Sequence, residues 1–217
     1  SQHLDQVFHD AAAVALMKGA VDAVIGCCTH ELVGTEVREL NSASRDQITG
    51  KNDELAAAGI RVLGVAYRQL DPTAADTAGD VDESIEQNMV FAGLIGMIDP
   101  PREEAKEAVS RCRAAGIRPI MITGDHPLTA LHIARELGIA DDEQPVVGQQ
   151  LASMSIADLE TTSQDVSVYA RVAPTDKLHI VQALQNSGQV VAMTGDGVND
   201  APALKQAHLG VAMGQIG

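Results

Sequence analysis

The sequence predicts an α/β protein whose second part is a parallel sheet flanked by helices. From Met89 onward, short apolar runs alternate with segments of helical character, and several of these runs end at Thr, Gly or Asp. Such alternation implies a parallel sheet covered by helices through right-handed crossovers. Residues 1–88 lack this alternation, and their strands and helices predict a smaller α+β domain.

Composition argues against several classes of protein. The chain of 217 residues has a formal net charge of −15, which disfavours a nucleic-acid backbone as partner. Its three cysteines, of which Cys27 and Cys28 are adjacent, form neither a disulfide framework nor a zinc spacing. No apolar run approaches the ~18–20 residues that cross a bilayer, and no signal-peptide pattern opens the chain. This chain by itself is therefore expected to be soluble and cytoplasmic.

Residues 1–70 predict two strands and two helices. The expected elements are a strand from Ala11 through Met17, a helix at Val21–Cys27, a helix ending at Ala58, and a strand at Ile60–Leu70. Ser42 or Ser44 would cap the second helix, and Gly59 would end it.

Two basic positions in this region are candidate ligand-binding groups. Lys18-Gly19-Ala20 follows the first strand as a turn, where a lysine beside a glycine could meet a phosphate or an adenine ring. Arg61 lies at the start of the Ile60–Leu70 strand. An ordinary strand end explains the first group equally well, and a solvated charge explains the second. The acidic stretch that follows, residues 71–87, predicts a solvated loop or linker and not a metal site.

Residues 89–217 predict a series of strands and helices. The strands are expected at Met89–Ile98, Ile117–Ile122, Val146–Val147, Val166–Ala170, Val190–Met193 and Leu209–Met213. The helices are expected at Glu103–Ala115, Pro127–Leu137, Leu151–Gln164, Thr175–Asn186 and Ala201–Ala207. Pro127, Pro174 and Pro202 favour helix starts, and Gly116, Gly138 and Gly188 favour helix ends.

The segment Val190–Lys205 organises this second part. Its apolar run predicts a strand buried on both faces, and Thr194-Gly195-Asp196-Gly197 follows directly. Because ligands bind beyond the carboxyl ends of such strands, Asp196 and Asp200 are placed to hold a hard cation beside a phosphate. Asn199 adds a neutral hydrogen-bonding group. A tight turn with solvated acids is the alternative for any Gly-Asp-Gly taken alone.

Three strand ends together predict phosphoryl-transfer chemistry. Thr123 and Asp125 follow one strand, Lys177 follows a second, and the group Asp196, Asn199 and Asp200 follows a third. A hydroxyl and a lysine suit the phosphate oxygens, and the carboxylates suit Mg²⁺.

These segments resemble those of the P-type cation-transporting ATPases. The resemblance implies a haloacid-dehalogenase-like fold for the second part of the chain and a partial α+β nucleotide-binding domain for the first. The matching segments are Lys18–Ala20, Arg61–Leu63, Met97–Arg102, Met121–Asp125, Ala170–Arg171 with Pro174 and Lys177, and Thr194–Lys205. Asp-Pro-Pro-Arg at 99–102 and Thr-Gly-Asp-His at 123–126 narrow the likeness to calcium-pump-like and related bacterial pumps.

The resemblance implies two domains with different functions. Residues 1–88 would be the later part of a nucleotide-binding domain, and residues 89–217 a phosphorylation domain that lacks its first strand, which carries the phosphorylated aspartate. The implied ATP-binding residues are Lys18, Gly19, Arg61 and Arg171. The implied residues of the phosphoryl-transfer site are Thr123, Gly124, Asp125, Lys177, Asn199 and Asp200, with Asp196 as the Mg²⁺ ligand. The implied partners are ATP, a transported cation, and the actuator and membrane domains of the same pump.

The 217 residues depart from the family pattern in one decisive respect. No Asp-Lys-Thr-Gly-Thr run, which carries the phosphorylated aspartate in such pumps, occurs in the sequence. The chain is therefore expected not to form an aspartyl-phosphate by itself. Two alternatives stay open: a non-catalytic module that binds Mg²⁺ or a nucleotide, and a soluble haloacid-dehalogenase-like phosphatase. The phosphatase needs an early Asp-x-Asp nucleophile, and Asp5, Asp10 and Asp22 do not form one.

Overall fold

The computed structural model describes residues 13–70, 83–98, 101–141, 143–195 and 197–213. It is an α/β structure that divides into two compact units, Ser1–Asp99 and Pro100–Gly217. Among the described residues, no helix combines the length and the apolar character needed to cross a bilayer.

The first unit is built on a mixed sheet of five strands. Its strands are β1 (Ala13–Gly19), β2 (Cys28–Val33), β3 (Glu36–Glu39), β4 (Arg61–Leu70) and β5 (Met89–Met97). Its helices are α1 (Val21–Cys27) and α2 (Ser42–Ala57), and a short 3₁₀ helix spans Glu83–Glu86. The strand order is β1-β4-β5-β2-β3. The pairs β1–β4, β4–β5 and β2–β3 are antiparallel, whereas β2 and β5 run parallel.

The sequence suggests that strand β5 begins the second unit. In the structure, β5 belongs to the first unit instead. It pairs with β4 on one side and β2 on the other, and the boundary between the units falls at Asp99–Pro100 and not before Met89. A long apolar strand has the same sequence pattern in either unit, because the pattern does not reveal which neighbouring strands it pairs with.

Helix α1 packs against one face of this sheet and forms the core of the first unit. Val21, Val24 and Ile25 are at most 6% exposed and pack with Ala66 and Phe91 of the sheet. The cap of α2 differs from the expectation. Asn41, and not Ser42 or Ser44, is the N-cap, since its side chain accepts a hydrogen bond of 2.9 Å from the backbone N–H of Ser44.

The second unit contains two parallel sheets and six helices in its described part. Its strands are β6 (Met121–Ile122), β7 (Val146–Val147), β8 (Val168–Ala170), β9 (Ala192–Gly195) and β10 (Leu209–Ala212). Its helices are α3 (Glu103–Ala114), α4 (Pro127–Leu137), α5 (Gly148–Ser153), α6 (Ile156–Thr162), α7 (Pro174–Asn186) and α8 (Ala201–Gln206), with a 3₁₀ helix at Val198–Asp200. One sheet has the order β6-β8-β7 and the other pairs β9 with β10.

Several expected elements are shorter or divided. The strand expected at Ile117–Ile122 is regular only at Met121–Ile122, and the single helix expected at Leu151–Gln164 is two helices. The division falls at Ser155, which forms a capping box with Asp158 and so starts α6.

The apolar sequence of strand β9 suggests burial on both faces, but the strand is partly exposed. Ala192 and Thr194 are exposed, and Val190 just before the strand is 87% exposed. The reason is that β9 pairs with β10 in a two-stranded sheet in the described part of the chain, so fewer neighbours cover it.

Arginine side chains bind the carbonyl ends of several elements. The guanidinium of Arg45 donates to the carbonyl oxygens of Ile25 and Cys28, at 2.7 Å each, where α1 ends. Arg118 donates to the carbonyl oxygens of Ser163 and Gln164, at 2.6 Å each, after α6. These bonds satisfy carbonyl groups that a helix end leaves without a partner within the helix.

Tyr169 of β8 lies fully buried in the core of the second unit. Its side chain is 0% exposed, and its hydroxyl has no hydrogen-bond partner among the described residues. Burial raises the pKa of this phenol from 10.0 to about 12. The folded protein therefore keeps the proton through a pH range in which the unfolded chain releases it.

We expect Tyr169→Phe to leave the free energy of unfolding at pH 7 unchanged or to raise it by up to about 1 kcal/mol, because it removes a buried, unsatisfied hydroxyl. In the wild type, stability should fall as the pH rises from 10 towards 12, since ionisation favours the unfolded state. The variant should show a smaller fall. Urea unfolding at pH 7 and at alkaline pH measures both effects. If the stability of wild type and of Tyr169→Phe fell equally with rising pH, the raised pKa of Tyr169 would be contradicted.

Candidate functional site

Four described site residues of the second unit lie at one edge of the β6-β8-β7 sheet: Thr123, Gly124, Asp125 and Arg171. Lys177, Asn199 and Asp200 belong to α7 and to the segment after β9, outside this sheet. The three strands are parallel, so their carboxyl ends lie at the same edge. Thr123-Gly124-Asp125 follows β6, Arg171 follows β8, and Gly148 follows β7. In open α/β sheets, ligands bind at such an edge.

Thr123 and Asp125 form a local hydrogen-bonded turn. The Thr123 hydroxyl donates to Asp125 Oδ2 at 2.9 Å and accepts from the Asp125 backbone N–H at 3.1 Å. A threonine hydroxyl has a single proton to donate. An anion that bound here would therefore compete with the Asp125 carboxylate for the Thr123 proton.

Arg171 joins the end of β8 to the turn after β6. Its backbone N–H donates to the Asp125 carbonyl oxygen at 3.1 Å, and the next N–H, of Val172, donates to the Thr123 carbonyl oxygen at 3.1 Å. Arg171 has a φ of 50°, which is a left-handed conformation that costs a non-glycine residue about 1–2 kcal/mol. Such strain persists only where the surrounding structure enforces it.

Lys177 and Asp200 form a largely buried ion pair. Lys177 lies in the first turn of α7, which starts just after Arg171, and Asp200 ends the 3₁₀ helix before α8. Lys177 Nζ is 2.6 Å from Asp200 Oδ1, and the two side chains are only 19% and 9% exposed. Water screens such a pair less than it screens a surface pair. The ion pair therefore ties the Lys177 helix to the segment that follows β9.

Gly195 makes room for the Asp200 side chain. A Cβ atom at Gly195 would lie 2.7 Å from Asp200 Cβ and 2.9 Å from Asp200 Oδ2. Asn199 is exposed beside it. Asp196, the expected metal ligand, lies outside the described residues.

The donor set around Asp200 fits a hard cation in its chemistry. Asp200 and Asn199 offer carboxylate and amide oxygens, which are the ligands that Mg²⁺ takes in proteins. In the described part of the chain, no three His, Cys, Asp or Glu side chains cluster closely enough to hold a metal by themselves. A Mg²⁺ ion at this place would thus need further oxygen ligands, such as Asp196 or the phosphate itself.

Lys18 and Arg61 of the first unit share one face of its sheet. The sequence suggests that Lys18 lies in a turn. In the structure, strand β1 continues to Gly19, so Lys18 projects from the sheet. Lys18 lies opposite Val65, and Arg61 comes four residues before Val65 on β4. Because side chains alternate along a strand, Lys18 and Arg61 are on the same side, about 13 Å apart along the strand. Both residues are exposed.

This face of the sheet combines the two cations with exposed apolar side chains. Leu16, Ile95 and Met97 are 76%, 52% and 39% exposed. Ile95 and Met97 lie opposite Leu63 and Arg61 in the β4–β5 register, which places them on the Lys18 side. Lys18 also lines a cavity of about 280 Å³ with Glu86. An apolar surface with a few convergent polar groups is typical of small-molecule sites.

Gly19 has a different surrounding. A Cβ at Gly19 would lie 3.5 Å from Val24 Cγ2, and one at Gly64 opposite would lie 3.2 Å from Val24 Cβ. The two glycines therefore face α1 and allow the helix to pack closely on the sheet.

Two residues near these sites were not predicted. Gly148 packs against the Arg171 backbone, and its position directly after an apolar pair at a strand end was the available signal. Glu86 lines the Lys18 cavity from a segment that the sequence predicts as a loop. No local pattern indicates that this segment returns to β1.

Comparison with known proteins gives one consistent result. Residues 2–104 match the family model described as P-type ATPase, cytoplasmic domain N. The chain is 43% identical over 210 residues to calcium-transporting ATPase 1 of Bacillus cereus, which covers 96% of this chain and 23% of that protein. It is 46% identical over 204 residues to cation-transporting ATPase pma1 of Synechocystis, covering 93% and 22%.

A plant relative matches over a similar span. The chain is 39% identical over 221 residues to the endoplasmic reticulum-type calcium-transporting ATPase 4 of Arabidopsis thaliana, covering 93% of this chain and 21% of that protein. The chain thus spans about a fifth of the length of these relatives.

Proposed function

Because the chain belongs to the P-type ATPase family, we propose that it supplies nucleotide-binding and phosphoryl-transfer residues to an ATP-driven cation pump. The carrying observation is that the second unit joins Thr123, Asp125 and Arg171 at one sheet edge, beside the helix that holds Lys177 against Asp200. Phosphoryl transfer depends mainly on positioned charges and hydrogen-bond donors, and these residues are of that kind.

Each residue of the second unit has a distinct role in this proposal. The Lys177 ammonium would neutralise charge on the oxygens of the transferred group, and Asp200 keeps that ammonium in place. Thr123 would donate its hydroxyl proton to a phosphate oxygen in exchange for its bond to Asp125. Gly124, with its exposed backbone, would let the group approach the turn closely.

Asp196 would be the Mg²⁺ ligand, and Asn199 and Asp200 would order the phosphate site beside it. The bound ion would supply positive charge to the phosphate oxygens. Within the protein, Gly195 keeps the space that the Asp200 carboxylate occupies, so the orientation of that carboxylate is fixed before any ion binds.

The first unit would bind ATP as the later part of a nucleotide-binding domain. Lys18 and Arg61 carry positive charge on the same face as the exposed Leu16, Ile95 and Met97. A nucleotide presents an apolar base and an anionic phosphate chain, which matches this combination. Arg171, at the sheet edge of the second unit, is a separate candidate for contact with nucleotide phosphate.

We also propose that the second unit is a haloacid-dehalogenase-like phosphorylation domain that lacks its first strand. In the described part of the chain, β6 pairs with β8 alone and β9 pairs with β10 alone, so each has one open edge. An additional strand that paired with both edges would join the two sheets and bring a phosphorylated aspartate to this carboxyl edge. Without that aspartate, the 217-residue chain would bind ATP but not form the aspartyl-phosphate.

The remaining parts of the proposal concern the whole pump. A parent protein of this family would carry the chain on the cytoplasmic face of a membrane, together with actuator and membrane domains. Its transported species would be a cation, in agreement with the names of the relatives.

Calorimetric titration with the ATP analogue AMP-PNP in the presence of Mg²⁺ tests the proposal. We expect saturable binding that Lys18→Ala weakens at least about tenfold, a loss typical of a charge-assisted contact. Lys51→Ala, which removes an exposed lysine of α2 in the same unit, should bind like the wild type. The chain incubated with γ-labelled ATP should retain no label. Absence of binding, equal effects of the two lysine variants, or covalent labelling would each contradict the proposal.

A further inference from the structure

Gly148 lies where the ends of two parallel strands meet. It is the first residue of α5 and follows β7 directly, and β7 is the neighbour of β8. The residue that follows β8 is Arg171. Gly148 is buried, although it belongs to a short surface helix.

A side chain at position 148 would collide with the Arg171 backbone. A Cβ atom there would lie 2.2 Å from the Arg171 carbonyl oxygen, 3.2 Å from its carbonyl carbon and 3.7 Å from Asp176 Oδ2. No rotamer change relieves the first two contacts, because they involve main-chain atoms. Gly148 is not among the residues with positive φ, so space and not backbone conformation requires glycine here.

Arg171 is held from two sides. Its N–H donates to the Asp125 carbonyl oxygen, and its own carbonyl group fills the space beside Gly148. Its φ of 50° is maintained between these two contacts. A shift of the Arg171 peptide would change the direction of the Arg171 side chain. It would also weaken the backbone hydrogen bonds that Arg171 and Val172 donate to the Thr123–Asp125 turn.

We propose that Gly148 is a positioning residue for the nucleotide-phosphate site. Because Gly148 has no side chain, the Arg171 carbonyl group can occupy the space beside it, and Arg171 can keep its left-handed backbone. That backbone orients the Arg171 guanidinium and holds the Thr123–Asp125 turn. This inference rests on the proposed function, in which Arg171 contacts the nucleotide. It assigns to the end of β7 a role in binding that the residues at the ends of β6 and β8 alone do not require.

A double-mutant cycle in the full 217-residue chain tests the inference. The probe is AMP-PNP with Mg²⁺, and the proteins are wild type, Gly148→Ala, Arg171→Ala and the double variant. We expect each single substitution to raise the Kd about tenfold. The double variant should raise it by clearly less than the product of the two, because the part of the Gly148 effect that passes through the Arg171 guanidinium is already lost in Arg171→Ala. A glycine without close neighbours, Gly50, supplies the control: Gly50→Ala should bind like the wild type.

Amide hydrogen exchange provides a second readout that does not depend on binding. In Gly148→Ala, the Arg171 amide should exchange at least tenfold faster, while the amides of β8 keep their protection. Unchanged exchange at Arg171, or an equal further loss of binding in the Arg171→Ala background, would overturn the inference. Wild-type affinity in Arg171→Ala would instead refute the role of Arg171 in the proposed function, and the positioning role with it.

A folding failure of Gly148→Ala also has an interpretation. Glycine at 171 has the backbone freedom to rotate its carbonyl group away from an alanine at 148. Recovery of folding in the Gly148→Ala, Arg171→Gly double variant would support the inference. Continued failure would show that position 148 acts on the fold independently of Arg171, which would overturn it.

Discussion

Replacement of Lys177 by methionine is expected to lower the free energy of unfolding of the second unit by about 3 kcal/mol, because it removes one partner of a buried ion pair. Lys177 Nζ lies 2.6 Å from Asp200 Oδ1, and the Asp200 side chain is 9% exposed. Methionine retains the apolar stem of lysine but not its charge. The Asp200 carboxylate would then be buried without the ammonium that compensates it.

Hydrogen exchange resolved by mass spectrometry measures this change in the second unit separately from the first. The matched control is Lys205→Met, which removes an exposed lysine from α8 and should change stability by less than about 0.5 kcal/mol. The Lys177→Met, Asp200→Leu double variant should recover much of the loss, because no buried charge remains. Equal losses for Lys177→Met and Lys205→Met would show that the pair does not stabilise the unit.

Gly210→Ala is expected to destabilise the second unit by about 3 kcal/mol, at the upper end of the usual cost of overpacking. A Cβ at Gly210 in β10 would lie 2.4 Å from the Leu204 carbonyl oxygen and 3.1 Å from its carbonyl carbon. Both atoms belong to the backbone of α8. The helix would therefore have to move away from the sheet that it covers.

The control for this substitution should change stability in the opposite direction. Gly50 lies inside α2 with nothing within 4 Å of its ideal Cβ, so Gly50→Ala should stabilise the first unit by about 0.5–1 kcal/mol. Urea denaturation followed by circular dichroism compares the two variants. An unchanged unfolding midpoint for Gly210→Ala would mean that α8 adjusts freely and that its packing on β10 is loose.

Elements with strong local signals could be predicted from the sequence. Helix α4 spans Pro127–Leu137 as expected, because Pro127 starts it and Gly138, with a φ of 74°, ends it. Helix α1 likewise spans Val21–Cys27. The burial of β9 could not be predicted in the same way. An apolar run indicates a strand, but it does not reveal how many neighbouring strands and helices cover it.

The candidate site divides along the same line. Arg171, which the sequence offers as a site residue only through the family resemblance, contacts the Thr123–Asp125 turn at one sheet edge. The rule that ligands bind beyond the carboxyl ends of parallel strands indicates this edge for Thr123 and Asp125. It does not pair Lys177 with Asp200, since that contact depends on how α7 meets a 3₁₀ helix later in the chain. Gly148 is recognised only from a steric contact in three dimensions. The assignment of Asp196 to Mg²⁺ stays a prediction.

The arginine side chains that bind carbonyl groups have a consequence for the response to ionic strength. Arg45 and Arg118 hold neutral acceptors, so mobile ions weaken these bonds less than they weaken surface ion pairs. The net charge of −15, by contrast, repels itself, and added salt reduces that repulsion. The folded chain is therefore expected to tolerate concentrated salt, with its internal tethers intact and its electrostatic self-repulsion relieved.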